Sequence, residues 1–222
     1  MQSMLAQLVI RLIAGRHGSY QPVMVAGRVV LDGRRWTEKR VAAILPELEA
    51  AHVCSVVDYG CAEGYVVRHC AERGWLALGV EQSRRAVALA QISMLADNLD
   101  GFGLVRGWVT PDLVRRMPKF DATVSLSMLH HTMYTYGLEY ARELMSEMAA
   151  ATNRLLVFEM GQSNEAGFSW SSRLPDMGAE PQEWLAEFLE SCGFVNPRVI
   201  CKVPSFNSDV ERVTFVARAP SQ

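Results

Sequence analysis

The chain has 222 residues, which is enough for one α/β domain with a sizeable core and short for two. Half of the residues are hydrophobic, 21% are charged, and the formal net charge of −2 excludes a general basic surface for nucleic acid. The five cysteines are an odd number and lack zinc-site spacing, so we expect reduced thiols, a cytoplasmic protein and no metal site.

Residues 1–50 are predicted to form an N-terminal extension of helix, short hairpin and helix. Leucine and isoleucine recur at helical spacing over Met4–Ala14, which is too short to cross a bilayer. The apolar face of this helix is expected to pack on the domain or on a second subunit, giving a homodimer. Contact with a membrane surface is the alternative. Val23–Leu31 then predicts a hairpin, with turn residues at Ala26-Gly27 or Asp32-Gly33.

The second helix of the extension is predicted from Thr37 to about Ala51. Thr37 is a plausible N-cap because its hydroxyl can accept a bond from a free N–H group of the first turn. Pro46 lies inside the pattern and is expected to bend the helix or to split it, since proline removes one helical hydrogen bond.

From Val53 onward strands and helices alternate, and residues 51–222 are predicted to form one domain. The middle strands are nearly continuous apolar runs, which is typical of parallel strands covered on both faces. The last two, Arg198–Val203 and Arg212–Arg218, are joined by a short loop and must be antiparallel. The sequence predicts an α/β fold with a doubly wound seven-stranded sheet, mostly parallel and closed by a C-terminal antiparallel hairpin.

A glycine-containing turn follows the first strand of this domain. The run from Val56 to Gly64 reads VVDYGCAEG, so the strand ends in Asp58 and two glycines that are four residues apart. Glycine lets backbone N–H groups approach a ligand closely. The next strand ends in Glu81, about twenty residues after the glycines, where dinucleotide-binding sheets place an acid on ribose hydroxyls. This spacing predicts a site for a nucleoside-containing ligand.

The pattern D-x-G-x-x-x-G, with Asp58 in place of the first glycine of the nicotinamide fingerprint, resembles the first motif of class I S-adenosylmethionine (SAM)-dependent methyltransferases. The resemblance covers roughly residues 53–217 and includes the C-terminal hairpin. It implies that the turn holds the methionine part of SAM and that Glu81 takes the ribose hydroxyls. The cofactor-binding residues expected from these two strand ends are Asp58, Gly60, Cys61, Gly64, Tyr65, Glu81 and Gln82.

Two further strand ends depart from or extend this pattern. After the third strand the family usually places an acid or amide near the adenine, whereas Trp108 lies there; its indole could stack on adenine or belong to the core. After the fourth strand come Ser127, expected near the cofactor, and His130-His131. Neutral imidazole can take a proton from a hydroxyl group, so either histidine is a candidate general base, and either could instead tie down a loop.

The fifth strand ends in Glu159, which is expected to orient a histidine or to bind a substrate hydroxyl, unless it is a salt-bridged strand-end acid. The segment from Ser163 to Glu180 is long for a loop, and its aromatic and arginine content favours a lid over the substrate. Arg40 is a candidate partner for the methionine carboxylate of SAM, or else part of a solvated helix face.

The sequence therefore predicts a SAM-dependent methyltransferase acting on a hydroxyl of a small molecule or glycan, with a histidine base. The double histidine and the Tyr20-Gln21-Pro22 segment weakly resemble bacterial polysaccharide-modifying methyltransferases. Methylation of RNA or protein is an alternative that the near-neutral charge disfavours. A non-catalytic SAM-binding subunit and a dinucleotide oxidoreductase are further alternatives.

Overall fold

The computed structural model describes residues 2–33, 36–165, 167–205 and 209–220. Two strands form a small hairpin: β1 (Val23–Val25) and β2 (Arg28–Leu31). Seven strands form the main sheet: β3 (Ser55–Tyr59), β4 (Leu76–Glu81), β5 (Phe102–Arg106), β6 (Phe120–Leu126), β7 (Thr152–Glu159), β8 (Val195–Pro204) and β9 (Glu211–Arg218).

The α-helices lie before, between and after these strands. They are α1 (Gln2–Ala14), α2 (Thr37–Ala50), α3 (Tyr65–Ala71), α4 (Arg84–Ala96), α5 (Pro111–Arg116), α6 (Leu129–Tyr136), α7 (Leu138–Ala151) and α8 (Pro181–Ser191).

The strand order of the main sheet is β5-β4-β3-β6-β7-β9-β8. Strands β3 to β7 are parallel neighbours, whereas β9 runs antiparallel to both β7 and β8. Apolar side chains cover both faces of the sheet in two large clusters. The expected seven-stranded, mostly parallel sheet with a C-terminal antiparallel hairpin is confirmed. The order reverses between β3 and β6, which creates a crevice at their carboxyl ends.

The structure differs from the sequence-based expectation in two helices, α6 and α2. Helix α6 was not predicted, because it is only eight residues long and two of its four buried residues, His130 and Thr132, are polar. Thr37 is the first residue of α2 and Trp36 precedes it as N-cap without a side-chain bond, so the predicted Thr37 cap is wrong. Helix α2 also continues through Pro46; Ala42, whose carbonyl would have received the missing bond, is exposed and can bind water.

The extension packs closely against the remainder of the chain. Ile10 of α1 and Val23 and Val25 of β1 form a third apolar cluster with Leu89 of α4. Ala26-Gly27 form the turn of the hairpin, both with positive φ. The opposite face of α1 is exposed and carries Met4, Leu5, Leu8 and Leu12. None of the helices within the described residues is long and apolar enough to cross a membrane. A domain boundary at residues 50 and 51 stays a prediction.

Candidate active site

A cleft of about 220 Å³ opens at the carboxyl ends of β3, β4 and β6, where the strand order reverses. Its walls come from five short stretches of chain and from Tyr20 of the extension. The lining residues are Tyr20, Gly60, Ala62, Val80, Glu81, Gln82, Gly107, Trp108, Val109, Leu126, Ser127, Met128, His131, Thr132, Thr135 and Tyr136. Six of the residues predicted for the site therefore share this cleft: Gly60, Glu81, Gln82, Trp108, Ser127 and His131.

The turn after β3 presents backbone to the cleft. Gly60, Ala62 and Gly64 all have positive φ, at 81°, 48° and 71°. A Cβ atom on Gly60 would lie 3.1 Å from Cγ of Met128, so a side chain here would crowd the cleft wall. Gly64 is the N-cap of α3, and a Cβ there would lie 2.8 Å from Cε of Met94. Gly60 therefore leaves the cleft-facing side of the turn bare, whereas Gly64 does not line the cleft and lets the turn pack closely against Met94.

Glu81 is fixed at the end of β4 by backbone N–H groups. Its Oε2 accepts a hydrogen bond from the N–H of Ala62 at 3.1 Å, and its Oε1 accepts one from the N–H of Ser83 at 2.7 Å. Each carboxylate oxygen has two acceptor sites, so both oxygens can also accept a bond from a ligand hydroxyl. Glu81 thus offers a fixed, oriented carboxylate inside the cleft.

Asp58, Cys61 and Tyr65 lie beneath the cleft and do not line it. Burial and the nearby Glu81 carboxylate raise the pKa of Asp58 from 3.8 to about 8. Its Oδ2 is buried without a hydrogen-bond partner among the described residues. A Cβ on Gly79 would lie 2.6 Å from Sγ of Cys61, so this thiol points into the sheet. Burial and then Asp58 raise the pKa of Cys61 well above its ordinary value, which makes it an inert core thiol.

Trp108 is a surface residue and not part of the core. Its side chain is 67% exposed and stands at the cleft wall between Gly107 and Val109. This exposure excludes a core position for Trp108, and stacking of its indole on a planar ligand stays a prediction.

The paired histidines have different surroundings. His130 is buried, and its Nδ1 accepts a hydrogen bond from the N–H of Gly161 at 3.0 Å. That lone pair is therefore not available to take a proton from a substrate. His131 lines the cleft and is exposed to it. Partial burial and the positive charge of Arg212 lower the pKa of His131, so its imidazole is neutral near pH 7.

Glu159 belongs to a buried charge network behind the cleft. It pairs with Arg40 of α2 at 3.2 Å and lies 3.8 Å from Arg212 of β9. Its Oε1 accepts a hydrogen bond from the hydroxyl of Ser127 at 2.7 Å. Arg212 in turn pairs with the fully buried Glu165 at 2.8 Å. Glu159 is thus a salt-bridged acid that fixes Ser127, and Arg40 is buried instead of lying on a solvated helix face.

The segment after β7 folds back over the histidines. Trp170 packs against His130, with ring centroids 4.5 Å apart, and a Cβ on Gly161 would lie 2.3 Å from its ring. Arg212 lies 5.5 Å above the same indole. Sequence reasoning missed Arg212 and Glu165. An arginine inside the apolar strand β9 was the available signal for the first, and nothing local indicated that Glu165 is its partner.

The extension is fastened to the turn by Glu63. The two carboxylate oxygens of this buried residue accept hydrogen bonds from the N–H groups of Tyr20 and Gln21, at 3.0 and 2.9 Å. The side chain of Gln21 accepts a bond from the N–H of Tyr65 at 2.9 Å. These bonds hold Tyr20 at the cleft. Among the described residues there is no group of three or more His, Cys, Asp or Glu that could hold a metal ion.

No family model matches the chain. Two forms of the Escherichia coli O-antigen chain terminator bifunctional methyltransferase/kinase WbdD are 24% and 23% identical to it over 164 residues, or 73% of this chain. The chain spans 22% of the length of these relatives. A crystal structure of WbdD superposes with a TM-score of 0.72 at 21% identity, over 84% of this chain and 41% of that one.

Two further solved structures have the same architecture. The N-terminal domain of EvdMO1, solved in the presence of SAH and D-fucose, gives a TM-score of 0.69 at 17% identity over 99% of this chain and 97% of that one. Magnesium protoporphyrin IX methyltransferase from Synechocystis PCC 6803, with bound SAM, gives 0.59 at 18% identity, with coverages of 83% and 80%. The chain has the class I methyltransferase fold. The resemblance to these methyltransferases, and the weaker one to a polysaccharide-modifying relative, are confirmed.

Proposed function

We propose that this chain is a SAM-dependent methyltransferase. It would modify a hydroxyl of a small molecule or glycan, with His131 as general base. The observation that carries the proposal is one cleft that joins a bare backbone turn, a fixed carboxylate and an exposed neutral imidazole. The turn is Gly60–Ala62, the carboxylate is Glu81, and the imidazole is that of His131.

The chemistry of the residues that line the cleft supports SAM as the cofactor. Gly60 has no side chain, so its backbone can lie directly against the methionine part of the cofactor, and a Cβ there would crowd Met128. The fixed Glu81 oxygens can accept bonds from the two ribose hydroxyls, and Trp108 with Gln82 can flank the adenine. When bound, SAM supplies a methyl group on a positively charged sulfur, which makes it an activated donor.

The protein then has to align the acceptor and remove one proton. Bound SAM would supply the methyl group and leave as SAH, and the neutral imidazole of His131 would accept the proton that the acceptor hydroxyl loses. A positioned base contributes about 10²–10⁴ in rate. Alignment in the cleft contributes the larger share, up to about 7–11 kcal/mol in favourable cases. His130 fixes the loop at Gly161 and has no part in proton transfer.

The relatives support a glycan acceptor. WbdD is described as an O-antigen chain terminator, and the EvdMO1 domain was crystallised in the presence of D-fucose. The cleft of this chain gives no support to RNA methylation, because none of the described residues that line it is lysine or arginine.

Two further proposals concern assembly and location. We propose that the exposed apolar face of α1 joins two copies of the chain in a homodimer, since four large apolar side chains on one helix face are costly to leave in water. The five cysteines are free thiols, two of them in the core beside Asp58, which supports a cytoplasmic location.

Calorimetric titration with SAM and with its demethylated product SAH tests the cofactor assignment. Glu81→Gln is expected to weaken both ligands by about 10–100-fold, because it loses charge-assisted bonds to the ribose. Glu190→Gln, at an exposed acid on α8, is the matched control and should bind normally. Absence of SAM and SAH binding by the unaltered protein, or binding of NAD instead, would contradict the proposed function.

A further inference from the structure

Helix α6 presents one continuous face to the cleft. His131, Thr132, Thr135 and Tyr136 all line it, at positions i, i+1, i+4 and i+5, which lie on one side of an α-helix. His131, Thr135 and Tyr136 are exposed to solvent there. The helix rises about 1.5 Å per residue, so Tyr136 lies about 7.5 Å along the axis from His131. That distance is comparable to one six-membered sugar ring.

Tyr136 is a largely exposed aromatic residue on this face. Its side chain is 58% exposed, although it stands at the wall of a cleft and its ring lies 4.7 Å from that of Tyr140. Tyr134, on the same helix, instead packs against the core, with the guanidinium of Arg173 4.8 Å above its ring. An exposed ring at a cleft mouth, supported from behind by a second ring, is a platform on which a flat apolar face of a ligand can stack.

The remaining chemistry of the face narrows the class of ligand. Thr135 offers a hydroxyl that can donate and accept, and Thr132 a second one that lies 3.4 Å from Sδ of Met128. Among the described cleft-lining residues no lysine or arginine is present to bind an anionic acceptor, and Glu81 is the only carboxylate. Hydroxyl partners beside one aromatic ring suit a neutral polyhydroxylated ring better than a phosphate ester or a lipid.

We propose that the cleft face of α6 is the acceptor-recognition element, and that it takes a neutral hexose ring stacked on Tyr136 with a hydroxyl directed at His131. This inference rests on the proposed function and specifies its acceptor. Tyr136 is a specificity-determining residue in it, and Thr135 supplies a hydrogen bond to a second sugar hydroxyl.

The test uses the full chain and measures conversion of SAM to SAH with methyl glycosides of D-glucose, D-galactose and D-mannose. Catechol and glycerol 3-phosphate are the planar and anionic comparison acceptors. Tyr136→Ala is expected to raise KM for the sugar about tenfold or more, with SAM affinity unchanged, because it removes the stacking surface. Tyr136→Phe should keep KM near the parental value, and Tyr134→Ala is the matched control on the same helix.

Saturation-transfer NMR on the unaltered protein with SAH gives a second measurement that needs no variant. When the aromatic protons of the protein are irradiated, saturation should pass to the carbon-bound protons of one face of the sugar. This saturation transfer should be lost in Tyr136→Ala. Equal KM values for Tyr136→Ala and the parent, methylation of catechol or glycerol 3-phosphate alone, or no sugar bound in the presence of SAH would overturn the inference. Normal calorimetric binding of SAM in those cases would leave the proposed function standing.

Discussion

His130 and His131 are neighbours in the chain with opposite environments, and this difference makes a prediction at the residue scale. His131→Ala should lower kcat by about 10²–10⁴ while SAM affinity stays near normal, because only the base is lost. Because the pKa of His131 in the free protein is lowered from 6.5, the acid limb of the kcat/KM profile should lie below pH 6.5. Steady-state kinetics across pH, with calorimetry of SAM, make the measurement.

His130→Ala is the informative comparison for that variant. It removes the acceptor for the N–H of Gly161 and the ring beneath Trp170, so it should lower the thermal midpoint. Its residual activity should keep the parental pH profile. A normal turnover rate in His131→Ala would refute the assignment of the base.

Asp58 makes a prediction about stability. Its pKa is near 3.8 in the unfolded chain and about 8 in the folded protein, so folding favours the neutral carboxyl. The contribution of Asp58 to the free energy of unfolding is therefore fully present below about pH 4. It is lost progressively as the pH rises towards 8. Asp58→Asn avoids that loss, and it should raise the thermal midpoint by roughly 5–10 °C at pH 8 with little change at pH 4.

Thermal unfolding followed by circular dichroism at pH 4, 6 and 8 measures this difference. Asp100→Asn, at an exposed position, should behave like the parent at every pH. An Asp58→Asn effect of equal size at all three pH values would mean that the carboxyl is ionised in the folded protein.

The sequence alone could predict some of the residues at the cleft and not others. Glu81 and Gly60 follow from a fixed spacing along two adjacent strands, and both line the cleft. The roles of Arg212 and Glu165 depend on contacts between β9 and the segment after β7, 47 residues apart, and no local pattern contains that information.

At the scale of elements, the turn that starts α3 depends on backbone that a side chain would strain. Gly64→Ala should cost about 1–3 kcal/mol of unfolding free energy, because alanine is disfavoured at φ 71° and its Cβ would meet the fully buried Met94. Gly74→Ala is the matched control, with φ 76° and open space around the new Cβ, and should cost about 1 kcal/mol.

Urea unfolding of the two variants separates backbone strain from crowding. The difference between them should shrink when Met94→Ala is combined with Gly64→Ala, since the overlapping methyl group is then gone. Equal costs for Gly64→Ala and Gly74→Ala would show that the turn has room for a side chain.

Elements with a strong apolar pattern were predictable, and α6 was not. The strands β3 to β7 are continuous apolar runs, and their order along the chain determines a doubly wound sheet. Helix α6 has only eight residues, and it buries the polar His130 and Thr132 beside Leu129 and Met133. A short helix that buries polar side chains lacks the apolar pattern by which a packed helix is recognised.

For the whole molecule, the exposed face of α1 predicts self-association. Leu8→Ser combined with Leu12→Ser should raise the dimer dissociation constant by more than about 100-fold, because two apolar contacts are lost. Analytical ultracentrifugation over a range of concentrations measures it. Leu76→Ser, at an exposed leucine of β4, is the control that should not alter the equilibrium. A monomeric parent protein would reject the dimer.

The hydrogen bonds between Glu63 and the N–H groups of Tyr20 and Gln21 limit which segments of the chain can be replaced in a chimeric protein. Glu63, in the middle of the glycine-containing turn after β3, also anchors the segment at Tyr20 and Gln21, so the turn and this segment cannot be exchanged independently between related proteins. A chimera that joins a foreign N-terminal extension to residues 51–222 would leave the Glu63 carboxylate buried without the N–H groups that donate hydrogen bonds to it. Exchanging the N-terminal extension together with the turn after β3 would keep the hydrogen bonds to the Glu63 carboxylate.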